Sequence, residues 1–175
     1  RDCTRWVNQN RNIFAAVMVA CGDADGMVTG LTRGFYSAYE DVERVLDPSK
    51  DQIPMGVSIV VSSGHNTVFL ADTRIHETPN AQEMADIAIS AAAKARKLGH
   101  EPRVAFLSYS SFSGRSGGHS EEVRKAVDIL AESNVDFEFD GELTVNTALD
   151  QELLNDYPFS RLSGPANVLV MPGLH

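Results

Sequence analysis

The richest concentration of reactive side chains is the stretch Ser108-Tyr109-Ser110-Ser111-Phe112-Ser113-Gly114-Arg115-Ser116-Gly117-Gly118-His119-Ser120. It falls between an apolar strand-like run ending at Leu107 and a helix-like run beginning at Ser120. Free backbone N–H groups, small residues, hydroxyls and Arg115 in such a place suit a phosphate or carboxylate. A polar surface loop without a ligand has the same composition, and the residues alone do not separate the two. The stretch lacks the Gly-Lys-Ser/Thr ending of a P-loop. Gly114-Arg115-Ser116-Gly117-Gly118 matches a nucleophile elbow in letters, but Ser116 comes well after the strand ends, which argues against a serine hydrolase. Histidines 65, 76, 100, 119 and 175 have no zinc-site spacing. Asp23-Ala24-Asp25-Gly26 opens like a calcium loop, but Gly34 stands where the twelfth-position glutamate is needed. Asp72 and the pair Asp140 and Glu142 sit at strand ends, either capping loops or facing a ligand.

The elements that must position these groups follow from periodicity. Apolar residues at helical spacing predict a helix over 5–21 and a second from Tyr36 to Leu46, stopped by Asp47-Pro48. Residues 47–54 are the most linker-like. Val57–Val61 and Thr67–Ala71 flank a short connection and predict a hairpin. Asn80 and Glu83 form a capping-box pattern. The helix they open carries Met84, Ile87, Ala88, Ala91, Ala95 and Leu98 on one face and stops at Gly99. Arg103–Leu107, Val135–Phe139 and Val168–Met171 read as strands, and Ser120–Glu132 as a helix with Glu121 and Glu122 in its first turn. Strands separated by helices of this length predict an α/β fold around a largely parallel sheet.

The bulk numbers agree. With 175 residues, 43% hydrophobic and 22% charged, the chain can form an ordinary domain core. No apolar run has the length of a membrane span. A net charge of −9 argues against nucleic acid as the main partner, though a small anion held by local arginines remains compatible. Cys3 and Cys21 show no disulfide or metal spacing and are expected to be reduced thiols in a cytoplasmic protein. The abrupt start at Arg1, and a last strand without a covering helix, lead to the expectation of a fragment of a longer protein.

Several ordered motifs resemble the phosphate acetyl/butyryltransferase family: Ala71-Asp72-Thr73, Pro79 to Ile89, Pro102 to Ser110, Asp140 to Leu143, Ala148-Leu149 and Gly164 to Val170. Arg1-Asp2, Val7 to Gln9, Arg11 to Ala15, Gly22 to Gly30, Tyr157 to Phe159 and Arg161 to Pro172 are most similar to the phosphotransacetylase-like C-terminal domain of bacterial NADP-dependent malic enzymes. The resemblance implies the two-lobed phosphotransacetylase fold of the isocitrate/isopropylmalate dehydrogenase type, with an acyl-transfer cleft between the lobes. Residues 1–50 would be the tail of the first lobe and 51–175 most of the second, the C-terminal remainder missing.

In active members an aspartate helps deprotonate the coenzyme A thiol, which attacks acetyl phosphate, while arginines and serines hold the phosphate. Asp41-Val42-Glu43-Arg44 matches a family motif whose arginine contacts the phosphoryl group, with Arg33 as the alternative. Ser108–Ser113 matches a segment lining the acyl phosphate site. The candidate ligand-binding set is therefore Arg33, Arg44, Ser108, Ser110, Ser111, Ser113, Arg115 and Glu142. The family's Ser-Arg motif and the aspartate after it would lie beyond His175, so no catalytic residue is assigned and the chain alone is expected to be inactive. Two family acids are replaced, by Asn146 and Gly173. The leading expectation is a regulatory acetyl-CoA-binding module of a multimodular malic enzyme. The alternatives are a fragment of an active phosphate acetyltransferase and an oligomerisation module. The implied partners are acetyl-CoA or acetyl phosphate, a malic enzyme domain in the same parent chain, and further copies in a homo-oligomer. NADP and a divalent metal are expected only in that separate domain.

Overall fold

The computed structural model describes residues 2–48, 52–64, 66–114 and 118–173, with backbone alone at His119. The chain divides into two compact units, Arg1–Lys50 and Asp51–His175.

The first unit holds α1 (Asp2–Gln9), α2 (Arg11–Ala20) and α3 (Phe35–Glu43). The single helix expected over 5–21 is two, because Asn10 adopts an extended conformation and caps α2. Its side chain accepts from the N–H groups of Asn12 at 2.9 Å and Ile13 at 3.4 Å. Asparagine competes with helical backbone bonding in a helix interior and satisfies orphan donors at an N-cap. Ile13, Ala16 and Ala38 form the unit's small buried core.

The second unit is a five-stranded sheet of order β1-β2-β5-β3-β4. Its strands are β1 (Val57–Val61), β2 (Thr67–Ala71), β3 (Arg103–Leu107), β4 (Glu138–Leu143) and β5 (Val168–Val170). β1 and β2 form the expected antiparallel hairpin, and the remaining pairings are parallel. The helices are α4 (Ala81–Lys97), α5 (His119–Glu132), α6 (Val145–Leu149) and α7 (Gln151–Asn155). One apolar cluster joins α4 and α5 to Phe69, Val104, Phe106 and Val168, while α6 and α7 cover the other face through Ala148 and Leu154. Burial on both faces explains why β3 and β5 are apolar without alternation.

The capping box of α4 forms as expected: Asn80 accepts from the Glu83 N–H at 3.0 Å, and the Glu83 carboxylate accepts from the Asn80 N–H at 2.8 Å. Leu98 leaves the predicted apolar face; it is the C-cap and half exposed. The strand expected over Val135–Phe139 lies further on. β4 pairs with β3 from Glu138 opposite Arg103, whereas Val135 and Phe137 pack on the core from a bend. Arg96 ties that bend to the end of α4 through the Asp136 carboxylate at 2.7 Å and carbonyl at 2.9 Å. Asp140, Gly141 and Glu142 therefore lie within a strand. The short helices α6 and α7, capped by Thr144 and Asp150, were not anticipated.

Candidate functional site

The serine-rich segment leaves β3 and is laced to β4. Ser108 N–H donates to Leu143 O at 2.8 Å and Phe112 N–H to Glu142 O at 2.9 Å. The Ser108 hydroxyl lies 3.0 Å from that of Ser120, which opens α5. Ser111 Oγ accepts from Thr144 N–H at 3.0 Å and lies 3.1 Å from Thr147 Oγ1. Ser113 donates both its N–H, at 2.6 Å, and its hydroxyl, at 2.5 Å, to Glu142 Oε1. Ser110 Oγ is buried without a hydrogen-bond partner among the described residues. Phe112, at φ 48°, carries the turn and stacks its ring edge-on against Phe159 at 5.0 Å.

Glu142 is 1% exposed and pairs with Arg124 Nη1 at 3.3 Å. Burial alone would raise its pKa. The Ser113 and Ser120 hydroxyls, the Ser113 N–H and the Arg124 charge outweigh that and hold it below the ordinary value. The carboxylate thus acts from behind the segment, fixing Ser113 and the start of α5. Gly141 lets the strands meet: a Cβ there would come within 2.7 Å of Phe106 Cβ and 3.0 Å of Phe106 O.

Asp140 and Asp72 are caps. Asp140 accepts from the Ser160 hydroxyl at 2.9 Å and Arg161 N–H at 2.7 Å. Asp72 accepts from the N–H groups of Gly56, Arg74, Ile75 and His76 and lies 2.7 Å from His76 Nδ1. Burial pushes the Asp72 pKa up, but the N–H groups of Arg74, His76 and Gly56 and the His76 imidazole bring it below the usual aspartate value.

In the first unit, the two arginine candidates meet one carboxylate. Asp41 is buried, accepts from Asn12 Nδ2 at 3.0 Å, and lies 3.7 Å from Arg33 Nη1 and 3.4 Å from Arg44 Nη1. Hydrogen bonding from Asn10 lowers its pKa most. Burial opposes, and Asn12, Arg33 and Arg44 lower it further. The Arg44 guanidinium also lies 5.2 Å from the Trp6 ring centroid.

The structure thus brings together Ser108, Ser113 and Glu142 through Ser120, ties Ser111 instead to Thr144 and Thr147, and sets Arg33 with Arg44 on Asp41; Arg115 lies outside the described residues. Arg124, Ser120, Thr144 and Thr147 were missed. The four-residue spacing of Ser120 and Arg124, one helical turn, was the available signal. Among the described residues, no group of three His, Cys, Asp or Glu side chains is arranged to hold a metal. Each group by itself carries donors that suit an anion: the serine and threonine hydroxyls in the second unit, and the two guanidiniums in the first.

The fold is that of the phosphotransacetylases, and the chain belongs to the phosphate acetyl/butaryl transferase family, whose model matches residues 1–175. Along its whole length it is 54% identical to the NADP-dependent malic enzyme of Rhizobium meliloti (strain 1021), covering 23% of that protein. It is 39% identical over 181 residues to the phosphate acetyltransferase of Treponema pallidum (strain Nichols), covering 92% of this chain and 51% of that one. The crystal structure of a phosphotransacetylase from Streptococcus pyogenes matches it with a TM-score of 0.84 and 30% identity, over 93% of this chain and 50% of the other. The chain is a phosphate acetyltransferase-like domain of the kind found in malic enzymes, and spans about a quarter of the malic enzyme's length.

Proposed function

We propose that this domain binds acetyl-CoA and regulates a malic enzyme of which it is a part. The observation that carries the binding half is the pair of half-exposed arginines on one carboxylate. Two guanidiniums against Asp41 leave one positive charge in excess, suited to an anionic ligand. The Ser110 hydroxyl, without a hydrogen-bond partner among the described residues, is a second donor suited to a phosphate or thioester oxygen. The regulatory half is supported by the 54% identity with a malic enzyme and by Asn146 and Gly173 in place of family acids. On this reading residues 1–50 are the tail of one α/β lobe and 51–175 most of another. The parent is an oligomeric cytoplasmic enzyme whose NADP and metal sites lie in a separate domain.

The 39% identity with a phosphate acetyltransferase favours a second reading, in which the parent retains acetyl transfer. Incubating the intact parent with acetyl-CoA and inorganic phosphate and measuring acetyl phosphate separates the two. The regulatory reading expects no turnover above background, and sustained turnover contradicts it.

A further inference from the structure

A cleft lies at the end of the sheet away from the serine-rich segment. β2, β3 and β5 run parallel, and the serine-rich segment follows the carboxyl end of β3. The cleft, of about 590 Å³, is lined at their amino ends by Thr67, Arg103 and Asn167, with His100 beside them. Its volume is that of a small-molecule site. Among the described residues no acidic side chain lines it, although Asp and Glu outnumber Lys and Arg by 24 to 15 in the chain.

Arg103 is fixed in place. Its Nε donates to Pro165 O at 2.8 Å and its backbone N–H to Asn167 Oδ1 at 2.8 Å. Asn167 is held in turn by donating to Glu101 O at 2.7 Å. Among the described residues, Nη1 and Nη2 of Arg103 have neither a hydrogen bond nor an ion pair, and neither does the imidazole of His100. His100 is positioned by packing, its ring edge-on to Phe69 at 5.4 Å. An oriented guanidinium with free terminal nitrogens, in a cleft that an imidazole also lines, suits a planar carboxylate. Val60, Val68, Leu149 and Ala166 form an apolar wall for a carbon skeleton. The cleft meets α6 at its last residue, Leu149, so no helix N-terminus adds the N–H cluster that favours phosphate.

We infer that this cleft binds a short-chain organic carboxylate, with Arg103 holding the carboxylate and His100 donating to it. The site is separate from the acetyl-CoA reading and stands without it. The test is an amide NMR titration of the ¹⁵N-labelled 175-residue chain with sodium succinate, and separately with sodium phosphate at matched ionic strength. Succinate should produce saturable shifts at Thr67, Arg103 and Asn167, with phosphate clearly weaker. Arg103→Met should weaken succinate binding by about tenfold or more, the loss expected for one charge-assisted contact. His100→Leu keeps the bulk against Phe69 and should weaken it by a few fold, which carries the test if Arg103→Met does not fold. Absence of a saturable response, shifts confined to Ser108–Ser113, or unaltered affinity in both variants overturns the site. Equal affinity for phosphate and succinate overturns the carboxylate assignment.

Discussion

Glu142 shows what a single residue contributes. Its carboxylate accepts two bonds from Ser113 and pairs with Arg124, so Glu142→Gln leaves buried donors short of an acceptor. We expect a loss of about 1–3 kcal/mol in urea unfolding. The pH dependence has a definite sign. The folded-state pKa is depressed, so the contribution of Glu142 is complete above the ordinary value of 4.5 and disappears as pH falls through the lower folded-state value. Wild-type stability should therefore drop more steeply than that of Glu142→Gln on acidification below about pH 4.5; parallel curves would contradict the assignment. The sequence made Asp140 and Glu142 visible as strand-end acids but not their tasks. Their partners Arg161 and Ser113 lie 21 and 29 positions away. Arg33 and Arg44 appeared as rival candidates, and only the fold places both on Asp41.

Among the elements, local chemistry was legible where it was self-contained. The α4 capping box, its Gly99 terminus and the β1–β2 hairpin all depend on residues within a few positions of each other. The β4 boundary does not. Val135 and Phe137 look like a strand because they alternate, yet their burial comes from packing in a bend that Arg96 holds. Asn10 was read through as helix interior because the flanking apolar period continues past it. At the β3–β4 contact, Gly141→Ala places a methyl group against Phe106 Cβ and its carbonyl oxygen, both backbone-proximal and unable to swing away. We expect about 1–3 kcal/mol of destabilisation, the usual range for overpacking, visible as a lower thermal midpoint. An unchanged midpoint would mean that β3 and β4 approach less closely than described.

At the scale of the whole molecule, fold class and family were legible because they rest on many ordered motifs spread over the chain. The proposed regulation would couple this domain to a malate site in another. If regulation holds, it is reciprocal: acetyl-CoA shifts malate-side affinity by the same factor by which malate-side ligands shift acetyl-CoA binding. The most direct measurement is a calorimetric titration of the intact parent with acetyl-CoA while malate turnover is followed in parallel, in wild type and Arg44→Gln. The account predicts saturable binding that changes malate turnover, with both effects weakened together in the variant. Binding that leaves malate turnover unchanged, or no binding at all, would contradict it.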